Sequence, residues 1–355
     1  MEKTRRVKIV TGLKCNIQCV FCYYRDNLNA PNRDLAEIVA DLDYAFKRGV
    51  REIDFSGGEP TVHPELPRLI AQAKALGMVR VCIISNGWRL AERPYLRSLK
   101  EAGLDEILFS LHGPSAEIHD TLTATAGSFA RIVRAMENAA AEGVALRTNT
   151  VVNTLNCRSL VETGRLVAGL EPAQVNFITI NDWCFARNLV DKLMLGYSEM
   201  SPFLKDACDL LEPRIPAVNV RYIPFCFMQG YERFVCNHRQ VVYDRYEWVP
   251  RVRARLEQGT SLARYLGILG YGLLACGAVT KLGRLSLADT LDESVVAGLR
   301  RWFYTKGKGC ADCRYAELCD GVEKTYAANL GLGELAPVAG PKLNDPIHFR
   351  REDAR

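Results

Sequence analysis

Three cysteines lie close together near the start of the chain, Cys15, Cys19 and Cys22, with the spacing C-x3-C-x2-C. Thiolates are soft ligands that suit iron–sulfur clusters, and three of them on a short loop hold three irons of a [4Fe–4S] cluster. The fourth iron then keeps an open coordination position, which a metal site needs in order to bind and react with a ligand. A zinc site without its fourth ligand, or thiols grouped by chance, is the competing interpretation.

A second group of cysteines lies near the C-terminus: Cys310, Cys313 and Cys319, with the spacing C-x2-C-x5-C and Asp320-Gly321 directly after them. Cysteines grouped this closely in sequence bind zinc or an iron–sulfur cluster. The pattern leaves both metals open. It also supplies only three ligands, so a fourth must come from elsewhere in the chain if the site is closed.

Polar segments that contain glycine follow several strand-like runs, at the positions where parallel α/β folds build their sites. The first is Asp54-Phe55-Ser56-Gly57-Gly58-Glu59-Pro60, in which two glycines permit close backbone approach to a ligand and a carboxylate offers an acceptor for an amine. The second is Ser85-Asn86-Gly87, and the third is Ser110-Leu111-His112-Gly113. We therefore expect one site to be assembled from the ends of successive strands.

Strand-like and helix-like segments alternate through the first half of the chain at intervals of about thirty residues, which is typical of βαβ units and a parallel sheet. The expected strands are Val7–Thr11, Glu52–Phe55, Val79–Ser85, Glu106–Leu111, Ala145–Val152 and Gln174–Ile180. The expected helices are Leu35–Arg48, Pro64–Leu76, Pro94–Ala102, Ser128–Glu142 and Ser159–Leu166. Six such strands predict an α/β fold, either an open doubly wound sheet or a partial barrel.

The pattern changes after Asn181, where regular alternation gives way to longer and less regular segments. The elements expected there are a helix at Ser198–Leu211, a strand at Val218–Ile223, and helices at Val252–Tyr265 and Glu293–Phe303. We therefore place a domain boundary near residue 215. Residues 1–215 form the α/β domain, and residues 216–355 form a smaller one.

Composition excludes several classes of protein. The chain has 355 residues, 48% of them hydrophobic and 25% charged, and its net charge of +5 is spread along the chain. These values are typical of a globular protein without the basic footprint of a nucleic-acid-binding one. No apolar signal-peptide segment precedes the first strand, and the most apolar window, 262–279, contains Arg264 and four glycines. We therefore expect a cytoplasmic protein with no membrane partner, whose 13 cysteines are thiols or metal ligands.

Three motifs together resemble those of the radical S-adenosylmethionine superfamily. They are the first cysteine group with Phe21 before its last cysteine, the Gly57-Gly58-Glu59-Pro60 segment, and the polar strand ends, and they cover residues 7–180. The resemblance implies a partial (β/α)6 barrel. It also implies that Cys15, Cys19 and Cys22 bind a [4Fe–4S] cluster, whose open iron takes the methionyl amine and carboxylate of S-adenosylmethionine (SAM).

The resemblance also implies residues that contact SAM. Phe21 lies near the adenine, and Gly57, Gly58 and Glu59 receive the methionyl amine. Ser85 and Asn86 line the ribose side, whereas Ser110 and Asn149 contact the carboxylate or the ribose. His112 is either a polar residue of this site or a histidine satisfied by backbone groups. After the sixth expected strand, Asp182 is a candidate for substrate contact, and Cys184 is a weaker candidate for a radical or hydrogen-donor role.

The C-terminal cysteine group resembles the auxiliary-cluster extensions, called SPASM or twitch, of many radical SAM enzymes. Too few cysteines remain for two clusters, so the resemblance implies one auxiliary [4Fe–4S] cluster, with zinc as the alternative. Cys226 in Pro-Phe-Cys is the first candidate for the fourth ligand, followed by Cys276 in Cys-Gly and then Cys236. Four cysteines would saturate the cluster and suit it to electron transfer, whereas three would leave an iron open to the substrate.

The implied chemistry is reductive cleavage of SAM to a 5′-deoxyadenosyl radical that abstracts hydrogen from a substrate, with an external donor such as flavodoxin or ferredoxin. We expect a biosynthetic small molecule, such as a sugar, nucleoside or amino-acid derivative. The alternative is a maturase that crosslinks or epimerises a ribosomal precursor peptide. Because the first strand begins near residue 7, no N-terminal peptide-recognition or cobalamin-binding domain is expected. An iron–sulfur protein without turnover is the third interpretation.

Overall fold

A computed structural model of the chain describes residues 6–22, 24–180, 192–247 and 302–350, together with residue 4 and the isolated residues 266, 270, 298 and 300. The chain forms two compact units. One is Ile9–Arg221, and the other combines Met1–Lys8 with Tyr222–Arg355. The domain limits drawn from the sequence, 1–215 and 216–355, stay a prediction, because compactness alone does not define a domain that folds independently.

The first unit is built on one seven-stranded sheet. Its strands are β1 (Val7–Val10), β2 (Glu52–Ser56), β3 (Arg80–Ser85), β4 (Glu106–Ser110), β5 (Ala145–Val152), β6 (Gln174–Thr179) and β7 (Val218–Arg221). They are ordered β1 to β7 across the sheet, and each pair from β2 to β7 is parallel. A doubly wound sheet reverses its strand order at a switch point. This sheet never does, so the predicted partial barrel is confirmed and the doubly wound alternative is wrong.

The sheet has seven strands rather than the six expected. The additional strand, β7, pairs with β6 so that Asn219 lies beside Asn176 and Val220 beside Phe177. The sequence predicts this segment as a strand but assigns it to the C-terminal region. A four-residue strand after an irregular stretch carries no local signal of which sheet it joins, since that depends on long-range pairing.

Helices cover the sheet and connect its strands. They are α1 (Leu35–Lys47), α2 (Leu66–Leu76), α3 (Arg93–Glu101), α4 (Ala116–Thr123), α5 (Ser128–Ala141), α6 (Leu160–Ala168) and α7 (Tyr197–Leu211). Their ends follow local chemistry: α2 has a proline in its first turn and ends at Gly77, whose φ of 102° is unfavourable for other residues. Each predicted helix of the first unit is present within two residues at each end. The eight-residue α4 was not predicted.

The concave face of the sheet holds a buried group of charges. On β2, Ile53 and Phe55 point away from this face into the apolar core, whereas Asp54 between them points toward it. Arg147 on β5 donates to Asp54 over 3.0 Å and pairs with Glu106 on β4, and all three side chains are fully buried. Strands β2 and β5 are three positions apart, about 14 Å in a flat sheet. The direct contact therefore requires the sheet to curl into a barrel.

The second unit has few regular elements among its described residues. They include the two-stranded antiparallel sheet of β8 (Tyr304–Thr305) and β9 (Val322–Glu323), followed by α8 (Lys324–Leu330). Phe225 and Tyr315 are buried and stack with ring centroids 5.3 Å apart. The helix predicted at Val252–Tyr265, and most of that at Glu293–Phe303, lie outside the described residues. No helix in the described part of the chain is long and apolar enough to cross a membrane.

Candidate active site

The first cysteine group lies on the loop between β1 and α1. The N–H of Cys15 donates to the carbonyl of Leu28 over 3.1 Å, and the N–H of Cys22 donates to that of Cys19, which closes a turn. The same loop is attached to the last turn of α4: Gln18 N–H donates to Thr123 O, and Val20 N–H donates to Leu122 O. The loop that carries the three thiols is therefore held in place both by its own turns and by the last turn of α4.

The electrostatics of these thiols favour a bound metal group. Burial raises the pKa of Cys15 to about 12, and the Glu59 carboxylate adds to the effect. Burial also raises the pKa of Cys19, and the thiols of Cys22 and Cys15 raise it further. Three close, partly buried thiols are hard to ionise together unless a cation compensates them. Metal binding supplies that compensation, so this donor set fits a thiolate-bound cluster.

The Gly57-Gly58-Glu59-Pro60 turn packs directly on the cysteine loop. Gly58 N–H donates to Gly12 O over 2.9 Å, and Glu59 N–H donates to Lys14 O over 2.8 Å. A Cβ atom at Gly57 would lie 2.0 Å from Gly12 O, and one at Gly58 would lie 2.2 Å from the Lys14 carbonyl oxygen. Both contacts are far inside van der Waals distance, so these positions require glycine. The two glycines bring the turn against the loop that carries Cys15.

The carboxylate of Glu59 is buried and accepts four hydrogen bonds. The donors are the N–H and hydroxyl of Thr61, the Ser85 hydroxyl over 2.9 Å, and the N–H of Asn86 over 2.7 Å. Burial raises the pKa of Glu59, whereas these donors act in the opposite direction. The glutamate thus fastens the end of β3 to the glycine turn. Its oxygens are occupied by protein donors.

Ser85 and Asn86 are themselves held in this network. The Ser85 hydroxyl accepts from Gly87 N–H over 3.0 Å while it donates to Glu59. The Asn86 amide donates to Asn16 over 2.8 Å, and its nitrogen lies 3.8 Å from Cys15 Sγ. The end of β3 therefore contacts the cysteine loop as well as the glycine turn.

Phe21 packs against a buried histidine, His112. Its ring meets the His112 ring edge-on, with centroids 4.6 Å apart. His112 Nδ1 accepts the N–H of Val151 over 3.3 Å, and burial lowers the pKa of His112 well below the ordinary value, with His119 adding to the effect. Of the two interpretations of His112, the structure favours a neutral imidazole satisfied by the backbone.

Ser110 and Asn149 lie side by side on β4 and β5, paired in the parallel register. Both are half-buried. The side-chain oxygen of Asn149, Oδ1, accepts a hydrogen bond of 2.8 Å from the side-chain nitrogen of Asn176 on β6. Asn176 was absent from the sequence-derived candidates, although Gln174 and Asn176 alternate with apolar residues along β6, a period of two that indicates polar residues on the concave face. Asp182 and Cys184 lie outside the described residues.

The C-terminal cysteines form a second group with Cys226. A cavity in the second unit is lined by four cysteines: Cys226, Cys310, Cys313 and Cys319. Its wall also includes Pro224, Leu335 and Pro337. Backbone groups face two of the sulfurs, since Gly321 N–H donates to Cys319 Sγ and Val338 N–H to Cys313 Sγ, each over 3.3 Å.

Of the other two candidates for the fourth ligand, Cys236 is not among the residues that line this cavity. Cys236 is buried beside Asp244 and Arg350, with its Sγ 3.7 Å from an Arg350 nitrogen. Cys276 lies outside the described residues. Among the residues that the structure describes, no three His, Cys, Asp or Glu side chains form a group suited to a single metal ion.

Comparison with known proteins identifies the class. The sequence profile of the radical SAM superfamily matches residues 9–167, which include the first cysteine group and the glycine turn. Residues 9–167 are thereby identified as a radical SAM domain. A [4Fe–4S] cluster and SAM are the cofactors of that class.

Two curated relatives illustrate the range of similar proteins. A probable GTP 3′,8-cyclase of Sulfolobus acidocaldarius is 27% identical over 220 residues, 61% of this chain and 68% of that protein. The Fe-coproporphyrin III synthase of Methanosarcina barkeri is 34% identical over 149 residues, 41% of this chain and 37% of that protein. The matches therefore span between about a third and two thirds of these relatives' own lengths.

The fold also resembles a solved structure. SuiB of Streptococcus suis superposes with a TM-score of 0.56 at 14% identity, covering 96% of this chain and 77% of that one. At this level of identity the likeness concerns the fold alone.

Proposed function

We propose that Cys15, Cys19 and Cys22 hold the [4Fe–4S] cluster at which this enzyme cleaves SAM. The observation that carries the proposal is the packing of the Gly57–Glu59 turn on the cysteine loop through two backbone hydrogen bonds. Because the turn lies against the loop that carries the thiols, the packing supports the turn as the segment that receives the methionyl amine. When bound, the cluster supplies the electron that cleaves the sulfonium C–S bond and releases a 5′-deoxyadenosyl radical.

Different residues around the thiols bind different parts of SAM. Because the Glu59 carboxylate already accepts four hydrogen bonds, the methionyl amine is received by backbone carbonyls of the Gly57–Glu59 segment. Phe21 packs near the adenine. Ser85 and Asn86 line the ribose side and hold the glycine turn in place.

Ser110 and Asn149 contact the carboxylate or the ribose. Their neighbouring positions at the ends of β4 and β5 support this role, because the ends of parallel strands are where such barrels build their sites.

An auxiliary [4Fe–4S] cluster in the second unit is the next part of the proposal. Cys226, Cys310, Cys313 and Cys319 surround one cavity, which supports Cys226 as the fourth ligand. Four thiolates saturate the cluster's irons. The cluster is then suited to accept an electron from the substrate radical or to return one, and not to bind the substrate itself.

The substrate is a biosynthetic small molecule, such as a sugar, nucleoside or amino-acid derivative, and flavodoxin or ferredoxin supplies the electron. The names of two curated relatives support this class, since one acts on GTP and the other forms a porphyrin. Peptide maturation is the competing proposal. Deuterium transfer distinguishes them: a labelled small-molecule substrate should deliver deuterium to 5′-deoxyadenosine, whereas transfer only from a precursor peptide would contradict the proposal.

Iron analysis tests the cofactor assignment. Anaerobic reconstitution should give about eight irons per chain, and about four after Cys15, Cys19 and Cys22 are changed to Ala. The reduced parent should release 5′-deoxyadenosine from SAM, and the triple variant should release none. Four irons in the parent would eliminate the auxiliary cluster, and release of 5′-deoxyadenosine by the triple variant would eliminate the assignment of the first cluster.

A further inference from the structure

Three asparagines form a continuous row across the concave face of the barrel. The parallel register places Asn149 on β5 beside Asn176 on β6, and Asn176 beside Asn219 on β7. Residues paired in this way project from the same face of a sheet. We call Asn149, Asn176 and Asn219 the amide row.

The hydrogen bonds of the amide row run in one direction. Asn219 Nδ2 donates to Asn176 Oδ1 over 3.1 Å, and Asn176 Nδ2 donates to Asn149 Oδ1 over 2.8 Å. Asn176 Nδ2 also donates to Gln174 Oε1 over 3.1 Å. Asn176 and Gln174 are fully buried, and Asn219 is 1% exposed. A buried amide network of this kind is stable only in the orientation that satisfies its members.

The amide row determines whether the side chain of Asn149 presents its nitrogen or its oxygen to the proposed SAM site. A primary amide presents either two N–H donors or a carbonyl acceptor, depending on its rotation. Asn176 directs its side-chain nitrogen toward Asn149, because that nitrogen also donates to Gln174 and the side-chain oxygen of Asn176 accepts from Asn219. The Asn149 oxygen is therefore engaged. Its Nδ2 makes no hydrogen bond to any residue that the structure describes, and the side chain is half-buried at the end of the row.

We propose that the amide row is a positioning device for SAM, with Asn176 as the positioning residue that makes Asn149 a hydrogen-bond donor to an acceptor oxygen of SAM. The proposal rests on the proposed role of Asn149 in SAM binding. The ligand oxygen belongs to the carboxylate or to the ribose, both of which accept hydrogen bonds. Asn176 acts through Asn149 and does not touch SAM.

The test is the affinity of the reconstituted enzyme for SAM, measured by equilibrium dialysis. Asn176→Asp cannot donate to Asn149, so the Asn149 amide must rotate and face SAM with its oxygen. The hydrogen bond from Asn149 to the SAM oxygen is then lost, and two acceptor oxygens face each other. The Kd for SAM should therefore rise about tenfold or more. An unchanged Kd in a variant with the parent's iron content and melting temperature would overturn the proposal.

Two further variants keep the test decisive. In an Asn149→Ala background, Asn176→Asp should weaken SAM binding no further, and an additional tenfold loss would overturn the proposal because Asn176 would then act without Asn149. If Asn176→Asp does not fold, Asn176→Ala replaces it. This variant leaves the Asn149 amide free to rotate and should raise the Kd severalfold, whereas parental affinity would overturn the proposal.

A control separates this effect from the general effect of replacing an amide by an acid. Asn138 on α5 donates to the carbonyls of Leu90 and Ala91 and not to the amide row. Asn138→Asp should therefore keep the Kd of the parent even where it lowers the melting temperature. Failure of the parent itself to bind SAM would reject the proposed function, which is a different outcome from parental affinity in Asn176→Asp.

Discussion

At the scale of single residues, Gly58 packs against the cysteine loop with no room for a side chain. The position where its Cβ would lie is 2.2 Å from the carbonyl oxygens of both Leu13 and Lys14. These are backbone atoms and cannot move aside as the end of a flexible side chain does. The glycine is therefore a requirement of the packing between turn and loop, whatever part it has in binding SAM.

We expect Gly58→Ala to destabilise the barrel and to release the first cluster. Overpacking of this kind costs about 1–3 kcal/mol in the free energy of unfolding, because the loop must move away from the turn. Urea unfolding and iron analysis measure the two effects. Gly169→Ala is the control, since the nearest atom to its Cβ position is 3.8 Å away and its φ of −67° suits alanine. Full iron content in Gly58→Ala would contradict the packing argument.

His119 leads to a prediction about pH. Its Nδ1 accepts the N–H of His112, and burial lowers the pKa of His119 to about 4 from an ordinary value of 6.5. The unfolded chain therefore takes up a proton near pH 6.5 that the folded chain takes up only near pH 4. Stability that is present above pH 6.5 is lost as the pH falls toward 4, by about 3 kcal/mol for this group.

The comparison with His119→Gln isolates this contribution, because glutamine keeps an acceptor but does not titrate. Urea unfolding of both proteins between about pH 7 and pH 4.5 gives the difference in the free energy of unfolding. The advantage of the parent over the variant should shrink as the pH falls. A difference that stays constant, or that grows toward acid pH, would show that His119 is charged in the folded protein.

At the scale of elements, the junction of α4 and α5 supports the cysteine loop. The last turn of α4 provides the carbonyls of Leu122 and Thr123 that hold the loop. Asp120 on α4 binds the start of α5, accepting hydrogen bonds from the N–H groups of Gly127 and Phe129, each over 2.7 Å. Burial raises the pKa of Asp120, but these donors outweigh burial and hold it below the ordinary value.

We expect Asp120→Ala to lower the free energy of unfolding by about 2 kcal/mol, because the first N–H groups of α5 lose their acceptor. The loosened junction should also reduce the iron retained by the first cysteine group, measured in a variant without the C-terminal cysteines. Asp120→Asn keeps one acceptor oxygen and should lose less. Glu117→Ala, an exposed acid on the same helix, should behave as the parent. Equal losses in Glu117→Ala and Asp120→Ala would reject this account.

At the scale of the whole molecule, the two compact units each contain one set of cysteines. The first set lies within Ile9–Arg221, and the second lies in the unit that includes Tyr222–Arg355. Because neither proposed ligand set includes a thiol from the other unit, we expect the two proposed clusters to assemble independently. Cleavage of SAM and the later electron transfer are then separable by mutation.

We expect Cys226→Ala to lose the auxiliary cluster, or to hold it weakly, and to retain about four irons. The variant should still release 5′-deoxyadenosine from SAM, but it should not complete the conversion of the substrate. Cys208→Ala changes a buried thiol on α7 and should keep about eight irons. Loss of 5′-deoxyadenosine release in Cys226→Ala would show that the two sets of cysteines depend on each other.

The sequence alone was sufficient for the features that depend on near neighbours in the chain. The spacing of Cys15, Cys19 and Cys22 confines three thiols to one loop, and the alternation of strands and helices predicts a parallel α/β sheet. Element ends agree within two residues because caps, prolines and glycines act locally. The resemblance to radical SAM enzymes, carried by the same short motifs, was confirmed by the family profile.

Tertiary structure decided the features that depend on contacts between distant segments. It brought Cys226 to the cavity of Cys310, Cys313 and Cys319, added β7 to the barrel, and surrounded Glu59 with donors from two loops. It also aligned the amide row across β5, β6 and β7. The physical reason is that strand pairing and side-chain packing select one partner among many of similar local character. Only the folded chain specifies which asparagine or cysteine faces which.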